Sequence, residues 1–153
     1  MKATFKMIIS ASLLIWTITG CAGARTGGPD PTLYQRLGGK GAIEAVVADF
    51  LARLGNDARI TNEKVKARMA TVNHLELKAR LTDLVCEASG GPCKYSGRSM
   101  KEAHAGLRIS PRDFDITVED LVTTLDQFKV PEKEKNDVLA LLGPLKQDIV
   151  EAP

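Results

Sequence analysis

Few side chains in this chain can do chemistry, and the one with the clearest setting is His104. The chain of 153 residues has two histidines, His74 and His104. Ser99-Met100-Lys101-Glu102-Ala103-His104-Ala105-Gly106-Leu107 reads as a short helix, with Ser99 as N-cap and Glu102 three residues on to complete a capping box. Met100, Ala103, His104 and Leu107 fall at i, i+3, i+4 and i+7, so the imidazole shares the apolar stripe with hydrocarbon neighbours. A histidine in that setting either satisfies a hydrogen bond or offers a neutral nitrogen to a metal. The other reactive groups are three cysteines, Cys21, Cys86 and Cys93. They form no C-x-x-C and the histidines no H-x-x-x-H, so a zinc site has little to recommend it.

The elements that must position these groups are helical. Thr32 is a plausible N-cap for a first short helix carrying Leu33, Tyr34 and Leu37, broken at Gly38-Gly39. Ala42 to Leu54 has apolar residues at 43, 46, 47, 50, 51 and 54, a helix period with Gly55-Asn56-Asp57 as its stop. Arg59 to Met69 is polar and weakly patterned, a loop or a frayed short helix. Asn73 caps the next helix, lined by Leu75, Leu77, Leu81, Leu84 and Val85 and ended by Gly90-Gly91. After the His104 helix, Ser110-Pro111 is a helix start with Pro at the first position. Phe114, Val118, Leu121, Val122, Leu125 and Phe128 line that helix. Pro131 opens the last one, with Val138, Leu141, Leu142, Leu145 and Ile149 apolar and Gly143-Pro144 a kink. No alternating run bounded by hairpin turns occurs, so the fold class is all-α.

The first twenty residues belong to a different kind of segment. Lys2 and Lys6 precede a nearly uncharged, largely apolar stretch from Met7 to Gly20, and Ile18-Thr19-Gly20-Cys21 sets small residues before a cysteine. This resembles a bacterial lipoprotein signal, which implies cleavage before Cys21, acylation of Cys21, and an exported protein held to a membrane through its N-terminal lipid. So short an apolar run suits a signal better than a membrane span. Residues 21–31, rich in Gly and Pro, read as a flexible tether, and residues 32–150 as one domain. Of 21 basic residues, Lys2 and Lys6 leave with the signal; the remaining 19 equal the 19 acidic ones. The calculated pI of about 8.4 therefore describes the precursor. A neutral mature chain gives no support to nucleic-acid binding. In an exported protein, Cys86 and Cys93, seven residues apart with a turn between them, are either free thiols or one disulfide.

The run Gly90-Gly91-Pro92, Tyr95-Ser96-Gly97-Arg98-Ser99-Met100 and His104 resembles the group 1 truncated haemoglobins, as does Leu33-Tyr34-Gln35-Arg36-Leu37-Gly38-Gly39. The likeness extends from about Pro31 to Val150. It implies a shortened globin, two helices packed over two around haem b, with His104 as the proximal iron ligand. It also implies contacts to the cofactor from Phe50, Leu51, Leu77, Arg80, Leu81, Leu84, Val85, Tyr95, Met100 and Phe114, with Leu107, Ile109 and Val118 as further slot residues. Lys78, Arg80 and Arg98 are the candidate partners of the propionates.

The departure from the family lies on the distal side. Phe50-Leu51 stands where members usually carry Phe-Tyr, whose hydroxyl holds oxygen. Leu77 and Leu81 stand where at least one glutamine is common, and Met69 falls near the phenylalanine that wedges the haem. The resemblance therefore implies a site for diatomic gas (O2, NO or CO) with an apolar distal pocket, from which oxygen leaves quickly. Redox work on nitric oxide or peroxide, with an unidentified electron donor, is the enzymatic option. His74, one turn before Leu77, is a candidate sixth ligand, and Lys78 a weaker one. The competing expectation is a globin-shaped lipoprotein module that has lost haem and serves as an interaction domain.

Overall fold

The computed structural model describes residues 30–151; the signal-like segment, Cys21 and most of the tether lie outside them. Helices are the regular structure of the described residues, with no strand among them. In chain order the helices are α1 (Leu33–Arg36), α2 (Gly39–Asn56), α3 (Glu63–Thr71), α4 (His74–Ala88), α5 (Met100–His104), α6 (Pro111–Gln127) and α7 (Glu132–Leu142). A 3-10 turn (Gly143–Leu145) then leads into α8 (Lys146–Ile149).

Helix α2 runs through the centre, against α4 on one side and α6 on the other. Helix α7 packs against α1 and α8 against α5, and the arrangement is a two-over-two helical sandwich. The innermost packing between α2 and α4 joins Ile43, Val47 and Cys86, flanked by Tyr34, Leu37, Leu51, Leu81 and Val85. Burial of this hydrocarbon is what holds the pair together. Arg36 ties α1 to α7 through Glu134, at 2.9 Å, and Asp137.

The helix starts are set by local hydrogen bonds that the side chains themselves make. Thr32, Ser99 and Ser110 each close a capping box, and Asn73 accepts from the N–H groups of Leu75 and Glu76. These satisfy first-turn donors that a helix cannot satisfy internally.

Several expectations need correction. Helix α2 starts just after Gly38 and runs through Gly55, since packing on both faces outweighs glycine's weak helix propensity. Of the two alternatives for Arg59 to Met69, a loop or a short helix, the helix is the one found: the Asn62 side chain accepts from the Lys64 and Val65 N–H groups and starts α3. The His104 helix stops at His104, because Gly106 turns left-handed at φ 78°. Leu107 reaches the core by way of that turn and not along a helical stripe. Leu75 is 77% exposed, and Phe128 lies past the end of α6, 40% exposed. The buried residues of α6 are Ile116, Asp120, Thr124 and Leu125, of which the apolar stripe named Leu125. Gly143-Pro144 splits the last helix through the 3-10 turn.

Candidate functional site

The sandwich leaves a cavity of about 790 Å³ between its layers, well within the size of cofactor sites. Its lining is overwhelmingly hydrocarbon. Phe50 and Leu51 come from α2, and Leu77, Leu81, Leu84 and Val85 from α4. Met100, Ala103 and His104 come from α5, Leu107 and Ile109 from the loop after it, and Phe114, Val118 and Leu121 from α6. Most of these side chains are only half buried, because they face the space and not another helix.

His104 is the last residue of α5, a helix of five residues. So short a helix has little stability of its own. Its start is fixed by the Ser99 hydroxyl, which accepts from the Glu102 N–H at 3.2 Å while donating to the Glu102 carboxylate at 2.8 Å. The Ser99 hydroxyl, followed by the Ser99 N–H, holds the Glu102 carboxyl below its ordinary range, so it stays an acceptor. The His104 Nδ1 lies 2.8 Å from the Met100 carbonyl oxygen. A carbonyl only accepts, so Nδ1 is the nitrogen that carries the proton in the neutral ring, and Nε2 is then the one with the lone pair.

The polar rim is built by the connection between α4 and α5. Tyr95 is held by its N–H, which donates to Glu87 at 2.9 Å, and by its hydroxyl, which donates to the Arg98 carbonyl at 2.7 Å. The Tyr95 N–H, followed by Lys94, keeps the Glu87 carboxyl below its usual range. Gly97 is needed beneath the Tyr95 ring, since any Cβ there would collide with it. Cys86 and Cys93 are joined by a disulfide, Cα–Cα 5.7 Å, which ties this connection to the end of α4. Arg80 bonds Glu76 and the Ser96 carbonyl, and with Arg98 and Arg68 it lines the mouth of the cavity.

All fourteen side chains that the family resemblance assigned to a cofactor slot lie on this wall: Phe50, Leu51, Leu77, Arg80, Leu81, Leu84, Val85, Tyr95, Met100, His104 and Phe114, with Leu107, Ile109 and Val118 beside them. His74 and Lys78 do not. They border a second cavity, between α2, α3 and α4, where Lys78 pairs with Glu44 at 2.7 Å. His74 opens α4, is exposed, and is not among the residues that line the main cavity. Sequence reasoning placed Met69 near the haem but missed Val65 and Arg68 of α3 and Val72 just after it, which line the main cavity with Met69. Val65, Met69 and Val72 stand at i, i+4 and i+7, a signal that the surrounding charges obscured.

A hydrocarbon slot between paired helices, with one imidazole and a cationic mouth, defines the globin class of α-helical proteins. A model of the bacterial-like globin family matches residues 32–151, and the chain belongs to that family. Its relatives are group 1 truncated haemoglobins. The one from Synechocystis is 36% identical, over 73% of this chain and 90% of its own length. That from Mycolicibacterium paratuberculosis is 29% identical over 77% and 83% respectively. Among solved structures, the Fe(III) truncated haemoglobin of Tetrahymena pyriformis matches with a TM-score of 0.69 at 28% identity, over 78% of this chain and 98% of that one. The 2/2 haemoglobin of Synechococcus sp. PCC 7002, with covalently attached haem, matches with a TM-score of 0.69 at 27% identity and the same coverage.

Proposed function

We propose that the chain binds one haem b in the main cavity, where His104 Nε2 would hold the iron, and that the iron would take a diatomic gas. The observation that carries this is the His104 Nδ1 hydrogen bond to Met100. It orients a ring that lines the cavity and leaves Nε2 as the nitrogen available to a metal, as second-shell acceptors do for metal-bound histidines. The residues present fit the group: hydrocarbon walls suit an apolar macrocycle, and Arg68, Arg80 and Arg98 at the mouth suit its carboxylates. When bound, haem supplies an iron with a coordination position open to small gases.

The chain's own residues set what happens to the gas. Leu51, Leu77 and Leu81 exclude water from the slot and offer no hydrogen-bond donor. Oxygen, which gains from a donor, should leave fast, whereas carbon monoxide and nitric oxide depend less on one. Long-lived oxygen storage is therefore a poor fit, and sensing or scavenging of a diatomic gas a better one. Redox turnover of nitric oxide or peroxide would need an electron donor supplied from outside the chain.

A haem-free interaction module is the competing reading. Protein interiors are close-packed, and a cavity of about 790 Å³ lined by leucine, valine and phenylalanine speaks against a core rebuilt without a ligand. Titration of the purified, haem-free protein with hemin tests the proposal: saturation at one per chain supports it, and absence of saturable uptake contradicts it.

We infer further that the domain is exported and anchored through Cys21. The support is the lipobox-like Ile18-Thr19-Gly20-Cys21 together with a disulfide of the kind that persists in oxidising compartments.

A further inference from the structure

The loop that leaves His104 has an unusual backbone. Gly106 and Arg108 both lie in the left-handed region, at φ 78° and 53°, with Leu107 between them buried. Arg108 is not a glycine, so this conformation persists only where its surroundings impose it. The imposition comes mainly from one residue at the far end of the chain. Glu151 donates its N–H to the Ile109 carbonyl at 3.0 Å. Its carboxylate accepts from the Gly106 N–H through one oxygen and from the Arg108 N–H through the other, each at 2.8 Å. Alternating left-handed residues turn their N–H groups to one side and form an anion-holding concavity, and the carboxylate occupies it. From the other side Lys64 donates to the Gly106 carbonyl at 3.0 Å, and the Asn62 amide to the Leu107 and Arg108 carbonyls at 3.1 Å.

Helix α5 has no length with which to hold itself, and α8 is the helix it packs against. Its C-terminal end, where His104 sits, is therefore fixed by what grips the next four residues. Leu107 donates back to the His104 carbonyl at 3.1 Å, so the grip reaches the histidine directly through the backbone.

We propose that Glu151 is a positioning residue for His104: by clamping the Gly106 and Arg108 N–H groups it fixes the orientation in which the imidazole is presented to the haem iron. This rests on the haem reading above and adds to it a residue 47 positions away in sequence that touches neither cofactor nor gas. Two variants and a control test it. Glu151→Ala removes both acceptors, and Glu151→Gln keeps one carbonyl oxygen and turns an amide toward the other N–H. Glu119→Ala removes another exposed carboxylate, one paired with Arg59.

In the haem-free protein, Glu151→Ala should speed amide hydrogen exchange at Gly106 and Arg108 by about tenfold. In the haem-loaded protein it should shift or broaden the iron–histidine stretching band in resonance Raman spectra and accelerate haem loss by about threefold or more. Glu151→Gln should fall between Ala and wild type, and Glu119→Ala should match wild type. Faster exchange with an unchanged iron–histidine band would make Glu151 a structural clamp only and overturn the positioning role. Unchanged exchange would overturn the clamp itself. If wild type takes up no haem, the haem reading fails and the positioning role fails with it, while the exchange data separately show whether the clamp exists.

Discussion

Replacing Leu51 by tyrosine should convert a fast-releasing oxygen site into a slow one. Leu51 projects from α2 onto the cavity wall beside Leu81 and Val85, and its other side packs on Ile43, Val47 and Cys86. A tyrosine ring at this position has the cavity to extend into, so the usual cost of enlarging a core residue, about 1–3 kcal/mol, should largely be avoided. The hydroxyl would then be the first donor contributed to the slot by α2. A hydrogen bond to a partially charged ligand in an apolar enclosure contributes about 1.5–3 kcal/mol. That corresponds to a rate of oxygen release lower by roughly tenfold to a hundredfold. Stopped-flow displacement of oxygen by carbon monoxide measures it, with Leu51→Phe as the control that adds the ring without the hydroxyl. Phe and Tyr variants releasing oxygen at the same rate would refute the reasoning. So would a slow wild type, since it would mean that a donor already reaches the ligand.

Further outcomes follow from the surrounding structure. Cys93→Ser should cost about 2.4 kcal/mol from loop closure alone, using the sequence separation of 7; urea unfolding with and without reductant measures it, and a wild type indifferent to reductant would contradict the bridge. Asp120 is 4% exposed, with one carboxylate oxygen lacking a partner. Burial, then the charge of Asp57, pushes its carboxyl above the ordinary range. The protonated form is thus the one the fold favours, so its stabilising contribution is complete at acid pH and is lost as pH rises through the raised value. Asp120→Asn should therefore stabilise the domain by about 1 kcal/mol at pH 7, with the gain vanishing as pH falls through the carboxylate range; a gain independent of pH in thermal melts would reject this account. Cys21→Ser should move the protein from the membrane fraction to the soluble one after cell fractionation, and a wild type already soluble with residues 1–20 attached would remove the anchoring proposal.

What the sequence disclosed was local. Thr32, Asn73, Ser99 and Ser110 each carry a side chain that caps its own helix, so four starts were visible from a few neighbouring residues. The stripe through Leu77, Leu81, Leu84 and Val85 was equally plain, as was the imidazole beside Met100. What stayed hidden depends on distant parts of the chain. Asn62 starts α3 with its side-chain oxygen while its amide bonds carbonyls at 107 and 108, so that segment read alone left a loop and a short helix equally open. Leu107 lines the slot only because Gly106 turns and Glu151 holds the turn. Phe128 fitted the helical period of α6 but falls on the turn that ends it, where no helix covers it. The Leu51 and Met69 departures from the family could be read as letters, yet only the cavity shows that both face the same slot.

The central claim is that His104 holds haem iron, and the absorption spectrum of His104→Gly with and without added imidazole tests it most directly. The account predicts that wild type carries haem with the ferrous carbon monoxide spectrum of a histidine-ligated globin. The variant should lose most of its haem or hold it with an altered spectrum, and imidazole entering the vacated space should restore the wild-type spectrum. A variant that retains haem with an unchanged spectrum in the absence of imidazole would contradict it.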